Sequence, residues 1–221
     1  MIITEQKPFE EILKNLEGEN NIFIIGCKLC ATVCQTGGEQ QVKEMKEKLE
    51  KEGKIVTGWV VIDTPCHMLE TKKVLRQRES EVNNADGILV FACGGGTQLV
   101  CEASGKSTHP GCNTLFLGVI ERFGQFSERC SLCSECMLEK TKGLCPVTLC
   151  TKGLLNGPCG GAKEGKCEVD PQQDCGWILI YKHLQKLGKL ELLKEFQPAK
   201  DYSKLRKPHK RILERKSVPS G

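Results

Sequence analysis

Fifteen cysteines stand in 221 residues, and eight of them fall in one stretch. Cys130, Cys133 and Cys136 repeat at two-residue gaps; Cys145 (followed by Pro146), Cys150, Cys159, Cys167 and Cys175 come after them. Thiols at this density either pair as disulfides or bind metal. The count is odd, and close spacing would strain short disulfide rings. The first residues, Met1 to Lys7, hold no basic region followed by an apolar run, so no secretory signal is expected and the cytoplasm is the expected location. Metal ligation is therefore the expectation. Eight cysteines make two sets of four, enough for two [4Fe–4S] clusters or two Cys₄ zinc sites. Three cysteines at strict two-residue gaps favour a cuboidal cluster, because zinc sites usually take paired cysteines; spacing alone leaves both metals open.

A second constellation, Cys27-x2-Cys30-x3-Cys34, follows the first apolar run of the chain. Three thiolates on one loop grip three corners of a cluster, and a fourth ligand must come from elsewhere. Cys93 is the first choice and Cys66 the second, because each follows another strand expected in the same sheet. Gly94, Gly95 and Gly96 beside Cys93 would let backbone approach closely and offer amide donors to sulfide. A redox dithiol at Cys27 and Cys30 is the competing reading, but it has no use for Cys34. Cys101 and Cys112 read as small buried hydrophobes. His67, His109, His183 and His209 lack ligand spacing, and the Gly94–Gly96 loop lacks a nucleotide-binding pattern. In the C-terminal set, the C-x2-C-x2-C run with a later Cys-Pro resembles bacterial ferredoxin ligation, though with a longer gap before the fourth cysteine.

The elements that must position these residues read as α/β over 1–125. Buried strands are expected at Asn21 to Gly26, Ile55 to Ile62, Gly87 to Ala92 and Thr114 to Val119. Amphipathic helices lie between them, the first placing Val42, Met45 and Leu49 on one face before Gly53. Alternating strands and helices imply a Rossmann-like parallel sheet covered on both faces, with cysteines 27, 66 and 93 at the carboxyl ends of its strands. Residues 126–198 form a small cysteine-rich metal-binding module. It lacks the apolar residues for a core, a lack that bound metal can compensate, and ends in a helix over 176–196, broken at Gly188, that is expected to pack the module onto the α/β domain or a partner.

The net charge of +4 is concentrated at 199–221: from Lys200 onward eight basic residues against two acids give +6, which leaves −2 for the rest. Solvated disorder or docking on a partner is expected of this tail, and its removal after Pro198 is expected to leave metal content intact. An acidic body and 5% aromatics argue against nucleic-acid binding. No apolar stretch approaches the ~20 residues of a membrane span.

The segment Asn156-Gly157-Pro158-Cys159-Gly160-Gly161, with Lys166-Cys167-Glu168, Cys175-Gly176-Trp177 and Cys145-Pro146-x3-Cys150-Thr151-Lys152-Gly153, resembles the cysteine-rich C-terminal family of methylenetetrahydrofolate reductases. The N-terminal Gly26-Cys27-x2-Cys30-Ala31-x2-Cys34-Gln35-Thr36-Gly37-Gly38 and the Ala92-Cys93-Gly94 loop are similar to the small iron–sulfur (MetV-type) subunit of the acetogen-type enzyme. The resemblance covers roughly residues 20–187. It implies a non-catalytic subunit in a hetero-oligomer, carrying two or three [4Fe–4S] clusters. Its partner would be a flavin-bearing catalytic subunit that reduces 5,10-methylenetetrahydrofolate to 5-methyltetrahydrofolate. The electron donor would be ferredoxin or a nicotinamide-oxidising subunit. A zinc-holding assembly subunit of the same reductase is the alternative.

Overall fold

A computed structural model describes residues 1–213. The end of the expected basic tail, with Arg215, Lys216 and Pro219, lies outside the described residues. The chain divides into two compact units, Met1–Glu128 and the remainder from Arg129.

The first unit runs β1 (Ile2–Gln6), α1 (Phe9–Asn15), β2 (Asn21–Cys27), α2 (Cys30–Val33), α3 (Glu39–Lys51), β3 (Ile55–Ile62), α4 (Met68–Gln77), α5 (Glu79–Asn83), β4 (Gly87–Phe91), α6 (Gly94–Ser104), β5 (Ser107–Pro110), β6 (Cys112–Arg122) and β7 (Gln125–Glu128). Four strands form a parallel sheet in the order β3-β2-β4-β5. The run Ile22-Phe23-Ile24-Ile25 is fully buried because its alternate side chains serve two cores. Phe23 and Ile25 join Ile62, Leu75, Ile88, Val90 and Val100 on one face. Ile22 and Ile24 join Ile12, Val42, Met45, Leu49, Leu89 and Phe91 on the other. The expected two-sided α/β layer is present.

The fourth parallel strand is not the expected Thr114 to Val119. It is the short β5, whose Ser-Thr-His-Pro sequence carries no apolar signal. Gly111 then turns the chain: its N–H donates to the Val90 carbonyl at 2.8 Å, and a Cβ there would come within 2.6 Å of the Phe91 ring. Beyond it β6 pairs antiparallel with β1 and β7 in a separate three-stranded sheet, order β1-β6-β7. Of β6 only Cys112 and Gly118 are buried, and exposed residues fall on both faces of the strand, unlike the doubly covered strands of the parallel sheet.

The second unit has little regular structure: α7 (Pro146–Leu149), α8 (Gly176–Lys186), and 3₁₀ turns at Leu190–Lys194 and Tyr202–Leu205. The helix expected over 176–196 stops at Lys186, with Gly188 in the left-handed region (φ 65°). Its Trp177, Ile180 and Leu184 are buried with Cys175 against Leu144, Cys150, Leu154 and Ala162, so the helix closes the core of its own unit. No helix among the described residues is long and apolar enough to cross a membrane.

Candidate metal centres

In the first unit, Cys27 ends β2, Cys66 follows β3, and Cys93 follows β4 as the N-cap of α6. All three therefore lie at the carboxyl edge of the parallel sheet. The loop after β2 is folded tightly. Cys27 N–H donates to the Gly37 carbonyl (2.9 Å), Thr32 Oγ1 to the Cys27 carbonyl (2.8 Å), and Cys34 N–H to the Cys30 carbonyl (3.0 Å). Glycine is required at two points: a Cβ on Gly26 would sit 2.6 Å from the Gly37 oxygen, and one on Gly37 would sit 2.2 Å from the Phe91 oxygen. This contact binds the Cys27–Cys34 loop to the strand that carries Cys93.

Burial pushes the Cys27 thiol up; the main-chain N–H groups of Ala31 and Leu29 oppose the shift, and the charges of Cys30 and Cys93 add to it. Cys66 is exposed at the residue level, yet lost hydration of its sulfur still raises its thiol, followed by the charge of Cys93 and, more weakly, Cys30. Cys27, Cys30, Cys66 and Cys93 thus share one electrostatic neighbourhood. Cys34 belongs to it too: its charge acts with those of Cys27 and Cys93 on the Cys112 thiol, and its sulfur lies 3.9 Å from the Ile2 carbonyl. Cys66 is not the buried hydrophobe that sequence alone would make of a non-ligand cysteine. Cys112 is: burial pushes its thiol up to about 12, and it donates to the Thr36 carbonyl at 3.5 Å. Cys101 is exposed, contrary to the expectation of burial. Gly94 and Gly95 leave space beside the Cys93 sulfur, 3.9 Å from a Cβ on Gly95, whereas Gly96 is the tightly packed glycine, against Ala92 and Pro65.

In the second unit, Cys130, Cys133, Cys136 and Cys145 line one cavity of about 470 Å³, together with Leu132, Met137, Leu138, Val147 and His209. Leu132 and Ser134 adopt positive φ (52° and 60°), which winds the C-x2-C-x2-C run about its own sulfurs. Thr148 Oγ1 donates to Cys145 Sγ at 3.5 Å. Burial raises the Cys133 thiol, but the Glu135 N–H and the Lys200 ammonium outweigh it, so the thiol lies below its ordinary value.

The other four cysteines are less convergent. Cys150 and Cys175 pack in the apolar core, and Cys175 caps α8. Cys167 sits on a small ribbon, its N–H bonded to the Gln173 carbonyl (2.9 Å); the N–H groups of Asp170 and Val169 and then the Thr151 hydroxyl hold its thiol low. Cys159 is exposed. Among the described residues no three Cys, His, Asp or Glu side chains converge closely enough to grip a single ion.

The histidines are otherwise engaged. His67 Nδ1 accepts the Glu70 N–H that starts α4, His109 pairs with Glu19 at 2.9 Å, and His183 bonds the Lys142 carbonyl at 2.8 Å. His209 reaches the cysteine cavity from a segment that sequence spacing gave no reason to connect with it.

A cavity lined by four cysteines, with amide and ammonium donors and Glu135 also on its wall, suits a soft, sulfur-bound metal group. The chain is thus a two-unit α/β protein with cysteine sets at a parallel-sheet edge and in a core-poor unit. Residues 109–203 match the protein family described as "Methylene-tetrahydrofolate reductase C terminal". The matched range is less than half of the chain and contains all eight cysteines of the second unit. No curated protein matches the chain.

Proposed function

We propose that this chain is an iron–sulfur electron-transfer subunit of a methylenetetrahydrofolate reductase, passing electrons to the flavin of a partner catalytic subunit. The supporting observation is the cavity ringed by Cys130, Cys133, Cys136 and Cys145 inside the family-matched range. A tetrahedral zinc draws four sulfurs to ~2.3 Å from one point. A cuboidal cluster holds its ligands farther apart, and the strict two-residue gaps of Cys130, Cys133 and Cys136 favour it. A bound cluster would supply one-electron exchange. The chain's own residues would ligate it through the four thiolates and direct N–H and ammonium donors at Cys133. A second site would use Cys27, Cys30 and Cys34 with Cys93 as the fourth ligand, and Cys66, whose thiol feels the charges of Cys93 and Cys30, as the second choice.

Partners follow from the same reading: a flavin-bearing catalytic subunit as acceptor, and ferredoxin or a nicotinamide-oxidising subunit as donor. The zinc alternative is best supported at Cys150, Cys159, Cys167 and Cys175, where main-chain amides cradle Cys167 in a ribbon-like turn. Iron and acid-labile sulfide on anaerobically purified protein test the proposal. Both are expected in near-equal amounts, and Ala at Cys130, Cys133, Cys136 or Cys145 is expected to reduce them. A colourless, iron-free, zinc-replete protein would refute it.

A further inference from the structure

Lys200 is the one buried lysine among the described residues, 9% exposed, although it opens the most basic segment of the chain. Burying an ammonium is costly unless something anionic compensates it. Its Nζ donates to the Glu135 carbonyl, between Cys133 and Cys136 in sequence. The Cys133 sulfur lies 3.4 Å from that same carbonyl oxygen. The Glu135 carboxylate feels the Lys200 charge but also pairs with Lys204, so it compensates only in part; the Cys133 sulfur, on which Lys200 also acts, and the thiolates around it are the further anionic partner.

The segment carrying Lys200 is fastened on both sides. Asn156 Nδ2 donates to the Gln197 carbonyl (2.9 Å), and Asn156 Oδ1 accepts the Gln197 N–H (2.7 Å). Beyond Lys200, Asp201 N–H donates to the Glu135 carboxylate (3.4 Å), and Lys204 pairs with the same carboxylate (3.2 Å). Asp201 Oδ1 accepts the Ser203 N–H at 3.0 Å, which starts the 3₁₀ turn. Residues 197–205 are thus a strap seated on the Cys130–Cys136 loop, where a solvated tail was expected.

We propose that Lys200 is a positioning residue that supplies the counter-charge to the metal group held by Cys130, Cys133, Cys136 and Cys145, and so raises its reduction potential. The inference rests on the iron–sulfur reading above. One-electron reduction, with dithionite as the electron source, adds one negative charge to the cluster and breaks no bond. A fixed ammonium beside a ligand sulfur favours that reduced state, and removing it favours the oxidised one.

The test uses the full chain, purified anaerobically as wild type, Lys200→Gln, Lys200→Arg and Lys204→Gln. Iron content, the spectrum of the reduced cluster and its midpoint in a dithionite titration are read for each. Lys200→Gln keeps an N–H donor for the Glu135 carbonyl but loses the charge. Its reduction equilibrium is expected to shift at least tenfold toward the oxidised form, about 59 mV for one electron. Lys200→Arg and Lys204→Gln are expected to stay within about threefold of wild type. Iron lost in Lys200→Gln but kept in Lys200→Arg also supports a charge role. An unshifted Lys200→Gln, an equal shift in all three variants, or iron lost from both Lys200 variants overturns the proposal and leaves a structural anchor. A wild-type protein without iron and sulfide refutes the iron–sulfur reading itself, and the counter-charge role with it.

Discussion

Gly37→Ala tests whether the loop of Cys27, Cys30 and Cys34 is positioned by backbone contact with β4. The new Cβ would stand 2.2 Å from the Phe91 carbonyl oxygen and 2.8 Å from the Phe91 Cβ, where real Cβ contacts essentially never fall below 3.0 Å. The obstacle is main chain, so no rotamer change relieves it, and the loop must retreat by roughly an ångström. Overpacking of this kind costs about 1–3 kcal/mol. If the 2.9 Å bond from Cys27 N–H to the Gly37 carbonyl opens as well, about 1 kcal/mol more is lost. The expected destabilisation is therefore about 2–4 kcal/mol. Gly53→Ala is the comparison: its φ of +79° imposes backbone strain, but nothing lies within 4 Å of the added Cβ, so about 1 kcal/mol is expected. Urea unfolding separates the two if only the first unit is observed. The chain has two tryptophans, so a Trp177→Phe background leaves Trp59, half-buried in β3 with the Lys43 ammonium 5.4 Å from its ring centroid. Equal midpoints for Gly37→Ala and Gly53→Ala at equal m would refute the backbone-contact argument.

Cys112, with its thiol pushed up to about 12 by burial, is expected to stay unlabelled by iodoacetamide at pH 8 in the folded protein and to react in urea; mass spectrometry of the peptides checks this. Asp86 is held below the ordinary carboxylate range by the N–H groups of Asn21 and Asn20 at the start of β2. Its contribution is present above its unfolded value of ~3.9 and is lost as pH falls through the lower folded value, so Asp86→Asn should flatten the acid side of a stability profile. Asn156→Ala removes both bonds to Gln197 and should cost about 1–2 kcal/mol, read as faster tryptic cleavage at Lys200 and Lys204. Stripping metal from the second unit should alter Trp177 fluorescence and leave Trp59 unchanged; a change confined to Trp59 would oppose a metal site in that unit.

The parallel sheet was legible wherever strands are buried on both faces. Ile22 to Ile25 and Ile88 to Phe91 are continuous apolar runs because two cores claim alternate residues. β5 was illegible because a four-residue edge strand of Ser, Thr, His and Pro needs no apolar side chain. β6 misled because Leu115, Phe116, Leu117, Val119 and Ile120 read as a buried run while Leu115, Val119 and Ile120 are exposed in the antiparallel sheet. At the sites, sequence order identified the cysteines that end strands and put Cys34, on the same loop as Cys27, in the ligand set ahead of Cys66. The charges of Cys93 and Cys30 reach Cys66 only through the fold. Lys200 was hidden among eight basic residues and is distinguished only by burial.

The two units differ in how little of the second is built on a buried apolar core. Beyond Glu128 the buried apolar side chains among the described residues are Pro146, Cys175, Trp177, Ile180 and Leu184. That is a small core for a segment that carries most of its residues in turns and loops. Exposed ion pairs such as Lys140–Glu195 and Lys166–Asp174 add little. On the iron–sulfur proposal the eight thiols would supply further stabilisation, because metal binding free energy is also folding free energy. The strap at Gln197 to Leu205 and the cysteine loop beneath it would then form one folding unit with the metal group. The loop's positive-φ residues Leu132 and Ser134 are conformations that ligation, rather than apolar packing, would have to hold in place.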